Sequence, residues 1–222
     1  MNGLNLHTSV LRKLFEHVYF INGTAYAGKS TMIHMLSQKY NGICCAENYI
    51  EKYFDLIEPE QFPNLCYFQT MSGWQEFLSR SPETYESWAW GCSREGAELE
   101  ILELIRCTQE NKKVFVDTNI PLEILREISD YEHIALMLSE PAIAVDRFFE
   151  RPDKDKQFLY ARLLEAEDPK RSIENFRRCL ERLNSEDVCN EFERSGFYVL
   201  KRDDSRSPEE TLAQLERHFK LV

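Results

Sequence analysis

The sequence predicts an α/β fold in which helices cover both faces of a five-stranded parallel sheet. Five short runs rich in apolar and β-branched residues recur along the 222-residue chain, helical patterns lie between them, and turn or capping signals separate the two. Strands alternating with helices through right-handed crossovers lie parallel, with the helices packed over both faces. In such sheets ligands collect at the carboxyl ends of the strands.

The first strand is expected over 17–22, His17-Val18-Tyr19-Phe20-Ile21-Asn22, followed by the glycine-bearing turn Gly23-Thr24-Ala25-Tyr26-Ala27-Gly28 and a helix from Lys29 to about Tyr40. A second strand follows over Gly42 to Ala46. Residues 49–90 then break the alternation with aromatics at irregular spacing, including Phe68, Trp74, Phe77, Trp88 and Trp90. That pattern fits the core of an inserted helical piece, with stacking on a planar ligand as the alternative. Ser81-Pro82-Glu83 starts a long helix running to about Glu110, with the apolar stripe Ala97, Ile101, Leu104, Ile105. Strands are expected again over Lys113 to Asp117, His133 to Leu138 and Phe197 to Lys201. Between the last two, a charged turn over 151–156 and a polar helical region to about Arg194 suggest a mobile flap. Ser207-Pro208-Glu209-Glu210 opens the final helix with a capping box. The expected organisation is a single domain with its core at about 17–48, 91–150 and 195–222, an insertion at 49–90 and a lid at 151–194.

Counting 27 Lys plus Arg against 38 Asp plus Glu gives a net charge of −11, a field that repels nucleic acid and anionic lipid. Neither is expected as a partner. Seven cysteines without C-x-x-C spacing read as reduced and mostly buried. No secretory leader opens the chain and no apolar stretch has the length to span a bilayer, so a cytoplasmic protein is expected.

The run Gly23 to Ser30 fits the phosphate-binding pattern G-x-x-x-x-G-K-[ST], and it stands between a strand and a helix as that pattern requires. Gly23 and Gly28 allow a bend that turns successive N–H groups inward, Lys29 brings a compact cation to the terminal phosphates, and the Ser30 hydroxyl suits magnesium. The following helix aims its positive end at the anion. The expected nucleotide contacts are Gly23, Ala25, Tyr26, Ala27, Gly28, Lys29, Ser30 and Thr31, with ATP and Mg2+ as cofactors.

With these residues the chain resembles the P-loop kinases of the adenylate-kinase type, within the P-loop NTPase superfamily. Further landmarks are Val114-Phe115-Val116-Asp117, the stretch from Leu136 through Arg151, and Lys201-Arg202-Asp203-Asp204-Ser205. The resemblance implies a three-layer P-loop fold and transfer of a phosphoryl group to a small-molecule acceptor. It implies that Asp117 joins Ser30 on the magnesium side, that arginines of the lid fold over the transferring phosphate, and that the loop holding Arg202 lies by the adenine. Arg147 and Arg151, four apart, would share a helical face; Lys154, Lys156 and Arg162 are further lid candidates. Glu47, directly after the second strand, is the candidate base for the acceptor hydroxyl, and Arg80 and Arg94 would serve an anionic acceptor. An ATP-binding regulatory module without kinase activity is the alternative reading.

Overall fold

A computed structural model describes residues 7–148, 150 and 154–222. Five strands, β1 (Val18–Gly23), β2 (Ile43–Cys45), β3 (Val114–Asp117), β4 (Ile134–Leu138) and β5 (Tyr198–Lys201), form one sheet in the order β2-β3-β1-β4-β5. Every neighbouring pair is parallel. β1 is central, and the chain leaves it first toward β2 and β3 on one side and only later toward β4 and β5 on the other. The strand order therefore reverses at β1, which opens a crevice at its carboxyl end.

Alternation along the strands divides the core in two. Val18, Phe20, Val114, Val116, Ile134 and Leu136 face one side, where they meet helices α1 (Thr8–Leu14) and α6 (Leu122–Ile128) and the second half of α5 (Pro82–Thr108). Tyr19, Ile21, Phe115, Ala135 and Met137 face the other and pack under α2 (Lys29–Lys39) and α11 (Pro208–His218). The result is three layers. Burial on both faces explains the nearly unbroken apolar strands.

Local signals account for most helix ends. Ser81 Oγ accepts from the amide of Thr84 at 3.2 Å, ahead of Pro82 at the first helical position of α5. At α11, Ser207 and Glu210 exchange the reciprocal bonds of a capping box. No capping side chain marks the start of α1. It is held by Arg12, whose guanidinium donates to the carbonyls of Arg126 and Glu127 and to Asp130, placing a cation at the C-terminus of α6.

A second, helical layer extends from one end of the sheet. After a 3₁₀ turn at Glu51–Leu56 come α3 (Tyr67–Thr70), α4 (Trp74–Leu78) and the start of α5; after β4 come α7 (Pro141–Asp146), α8 (Lys154–Leu164), α9 (Pro169–Leu183) and α10 (Glu186–Arg194). Phe77, Leu78, Tyr85, Leu163, Phe176 and Leu180 close a third apolar core that joins the 49–90 and 154–194 segments. Residues 154–194 are thus packed helices, with α9 laid along α5. Their apolar residues fall on one strongly segregated face of α9, while charges occupy the other.

Candidate phosphate-binding site

The turn after β1 is fixed from all sides. Gly23 has φ 125°, and a Cβ placed on it would lie 2.0 Å from the Met137 carbonyl oxygen, so the close approach of β1 to β4 excludes any side chain there. Gly28 has φ 92° and Tyr26 φ 61°. Asn22 is buried; its Nδ2 donates to the Ile120 carbonyl at 2.8 Å, and its Oδ1 accepts from the Gly23 amide. Thr24 and Ser139, both 5 % exposed, lock the turn to the end of β4: the Ser139 amide donates to Thr24 Oγ1 at 2.8 Å, and Ser139 Oγ donates to the Ala25 carbonyl at 2.6 Å.

These bonds sort the backbone polarity. Carbonyls of Thr24, Ala25 and Tyr26 accept from Lys29 Nζ at 3.0 Å, Ser139 Oγ at 2.6 Å and Arg202 Nη1 at 2.7 Å. The amides of Ala25, Ala27, Gly28, Lys29, Ser30 and Thr31, by contrast, donate to no acceptor among the described residues. All six residues line one cleft of about 940 Å³. Carbonyls tied back and amides left over make a concave patch of positive partial charge, continued by the N-terminus of α2.

At its edge stand the expected ionic residues. Ser30 Oγ donates to Asp117 Oδ2 at 2.7 Å, and Lys29 Nζ lies 3.9 Å from Asp117 Oδ1 with both side chains nearly buried. Asp117 ends β3 at this crevice and does not cap a helix; α6 begins five residues later, after Pro121. A hydroxyl and a carboxylate are the hard oxygen donors that magnesium takes, with phosphates and waters completing its shell. No group of three or more His, Cys, Asp or Glu side chains able to hold a metal occurs among the described residues.

Glu47 lines the same cleft just past β2 and is exposed. Arg202 does not line it. Its guanidinium instead clamps the Tyr26 carbonyl and Asp204, at 2.7 and 2.8 Å, which makes it a positioning residue for the turn. Arg147 is the exposed C-cap of α7, which ends at Asp146, and the Arg147 carbonyl accepts from the Tyr26 hydroxyl at 3.1 Å. Arg151 lies outside the described residues. Among the described residues of the 154–194 segment, Lys156, at the start of α8, lines the cleft, with its ammonium 6.0 Å from the Tyr26 ring centroid.

Sequence reasoning missed Glu100. It sits on the buried face of α5, 6 % exposed, at the back of the cleft. Its Oε2 accepts from Tyr49 at 2.8 Å and Thr118 at 2.6 Å. Burial pushes its carboxyl up to about 7, aided by the nearby Asp117 charge and opposed by the Thr118, Tyr49 and Asn119 hydrogen bonds. One turn on, Glu103 is equally buried yet behaves oppositely: burial alone would raise it, but hydrogen bonds from Arg106, Lys52, Tyr53 and Cys107 hold it at about 2. The only signal for Glu100 in the sequence was an acid placed between Ala97 and Leu104 on the apolar stripe.

Among the described residues no helix is long and apolar enough to cross a membrane. No family model, no curated protein and no solved structure matches this chain.

Proposed function

We propose that this protein is an ATP- and magnesium-dependent phosphotransferase of the P-loop kinase type, acting on a hydroxyl of a small molecule. The observation that carries the reading is the sorted backbone of the turn at 23–31, with its carbonyls engaged and its amides open to the cleft beside Lys29 and the Ser30–Asp117 pair. A preformed row of N–H donors and a cation is what a polyphosphate requires. Its position at the carboxyl end of the central strand, where the strand order reverses, supports the same reading.

Phosphoryl transfer asks for alignment and positive charge rather than covalent help. The open amides cradle the β- and γ-phosphates, and Lys29 swings from the Gly23 and Thr24 carbonyls it now caps onto the γ-phosphate. Ser30 and Asp117 would hold a magnesium ion, which when bound would supply further positive charge to the phosphate oxygens. The acceptor hydroxyl oxygen attacks the γ-phosphorus, the bond from that phosphorus to the β–γ bridging oxygen breaks, and ADP departs. The hydroxyl proton passes to Glu47, across the cleft. Lys156 adds charge from the lid side.

The test is ADP release from ATP and magnesium with pooled hydroxyl acceptors, beside the Lys29→Ala variant. Acceptor-stimulated release that falls by two orders of magnitude or more in the variant, on the order of 3 kcal/mol of transition-state stabilisation, is the expected result. Tight ATP binding with no stimulation by any pool would replace the kinase reading with that of a nucleotide-binding module.

A further inference from the structure

The third apolar core is not sealed on the side of the cleft. Tyr85 and Leu180 belong to that core, Trp88 and Leu183 pack against it, and all four also line the cleft that holds the turn. They come from α5 and α9, which lie side by side, with the Tyr85 and Phe176 rings 5.5 Å apart and Arg182 bonded to Glu83 and Glu86. The cleft therefore extends into an apolar recess between two helices. Two buried polar groups there lack partners. Tyr85 is 8 % exposed, and its hydroxyl makes no hydrogen bond among the described residues. Asn184, the C-cap of α9, lines the same cleft and is 7 % exposed. Its Nδ2 donates to the Leu180 carbonyl at 2.9 Å, which fixes the orientation of the amide and leaves Oδ1 with no donor among the described residues. The orphaned side-chain atoms shut off from solvent are Arg80 Nη1, Ser129 Oγ and Arg162 Nε. The Tyr85 and Asn184 oxygens are not among these, so both stay open to the cleft that they line. Burial pushes the Tyr85 phenol upward, so it keeps its proton and can donate, whereas Asn184 Oδ1 can only accept.

We propose that this recess binds an uncharged, planar group with apolar faces, which offers a hydrogen-bond acceptor to the Tyr85 hydroxyl and an N–H or O–H to Asn184 Oδ1. Apolar and aromatic walls with a few polar groups are the usual make-up of a small-molecule site, and the Tyr85 and Trp88 rings suit a flat partner. A buried polar group without a partner carries a cost that the ligand's own polar atoms remove. A charged ligand would leave its charge unpaired in this recess. Arg94 lines the cleft and pairs with Glu123 at 3.4 Å; nine residues beyond Tyr85, it is about two and a half turns on and on the opposite face of α5. Arg80 does not line the cleft, and its guanidinium lies 3.7 Å above the Tyr67 ring. Under the phosphotransferase reading, on which this last step rests, the group held in the recess is the body of the acceptor.

The experiment follows the Leu180 and Leu183 methyl resonances of the full chain by NMR during titration with three bicyclic probes: 2-quinolone (uncharged, acceptor and N–H donor), quinoline (acceptor only) and quinaldate (anionic). Mg·ADP is titrated separately. 2-Quinolone should shift both methyls at millimolar concentration, with quinoline about fivefold weaker, the scale of one hydrogen bond, and quinaldate weaker again. Tyr85→Phe should keep the wild-type urea midpoint, because the hydroxyl it deletes has no partner in the protein. It should also lower 2-quinolone affinity about fivefold and leave Mg·ADP affinity unchanged. No shift of either methyl by 2-quinolone up to its solubility limit would overturn the proposal. Equal 2-quinolone affinity in the wild type and Tyr85→Phe would do the same, as would quinaldate binding as tightly as 2-quinolone. The wild-type series requires no variant to fold. If Mg·ADP fails to bind while 2-quinolone still shifts the two methyls, the phosphotransferase reading falls and the recess survives as a binding site; if Mg·ADP binds and 2-quinolone does not, only the recess is wrong.

Discussion

Glu100 is a single carboxyl whose environment makes its charge expensive. Its pKa is near 7 in the folded protein against an ordinary value near 4.5, so the native state holds the proton more tightly than the unfolded chain. The associated stability is complete below pH 4.5, declines as the pH climbs, and is lost above 7. Glu103, held at about 2, works in the opposite sense and only in acid, outside this window. Urea unfolding at pH 5 and pH 8 should show the wild type losing on the order of 2 kcal/mol relative to Glu100→Gln, which does not titrate. An unchanged difference between the two proteins across this range would mean that Glu100 is already ionised in the fold. The residue escaped sequence reasoning because its partners are Thr118, 18 positions away, and Tyr49, 51 positions away; only the packing of α5 against the ends of β2 and β3 brings them together. The turn at 23–28 was legible for the converse reason. Its geometry permits only glycine at position 23, so the requirement is written locally.

At the scale of elements, strands were the easiest to read, each to within a residue at either end, because the central strands β1, β3 and β4 are buried on both faces and read as nearly unbroken apolar runs. Helices were legible where chemistry marks their ends. The capping box at Ser207 and Glu210 satisfies two otherwise orphaned amides at the start of α11, whose Leu212 and Leu215 cover one face of the sheet. Ser207→Ala should therefore destabilise the protein by about 1 kcal/mol, read as a lowered urea midpoint with an unchanged slope. α1 carries no such mark and has no counterpart in the sequence reading. α1 is seven residues with a mixed pattern and is stabilised by contacts with α6. α7 ends at Asp146 after six residues, which leaves Arg147 at its C-cap.

On the scale of the molecule, one helix belongs to two cores. The first half of the 27-residue α5 places Tyr85 in the helical layer, and the second half places Ala97, Leu104 and Cys107 against the sheet. The aromatics at 67–88 are mostly the interior of that layer: Phe77 meets Tyr67, Phe68, Trp74, Tyr85 and Trp88 at centroid distances between 5.0 and 6.2 Å. Phe54 and Trp90, which line the cleft, are exceptions to that packing role. Their irregular spacing could not reveal which rings turn inward, since that depends on where α8 and α9 return. Phe176→Ala removes a side chain that is 1 % exposed from the seam between α9 and α5, a change of about 3–5 kcal/mol. Hydrogen exchange should quicken across 154–194 while the sheet amides stay protected, and Mg·ATP affinity should change less than twofold. Loss of protection in β1 and β4 as well would show that the two cores are energetically one.

The turn that follows β1 has already given up its conformational freedom. Its carbonyls are tied to Lys29, Ser139 and Arg202 before any anion arrives, so the entropy of ordering these residues was spent when the chain folded. An anion reaching the turn would meet a backbone that need not rearrange. Its arrival would be limited by diffusion against the repulsion of a chain carrying a net charge of −11. The speed of capture is then governed by ionic atmosphere, and the strength of capture by local geometry.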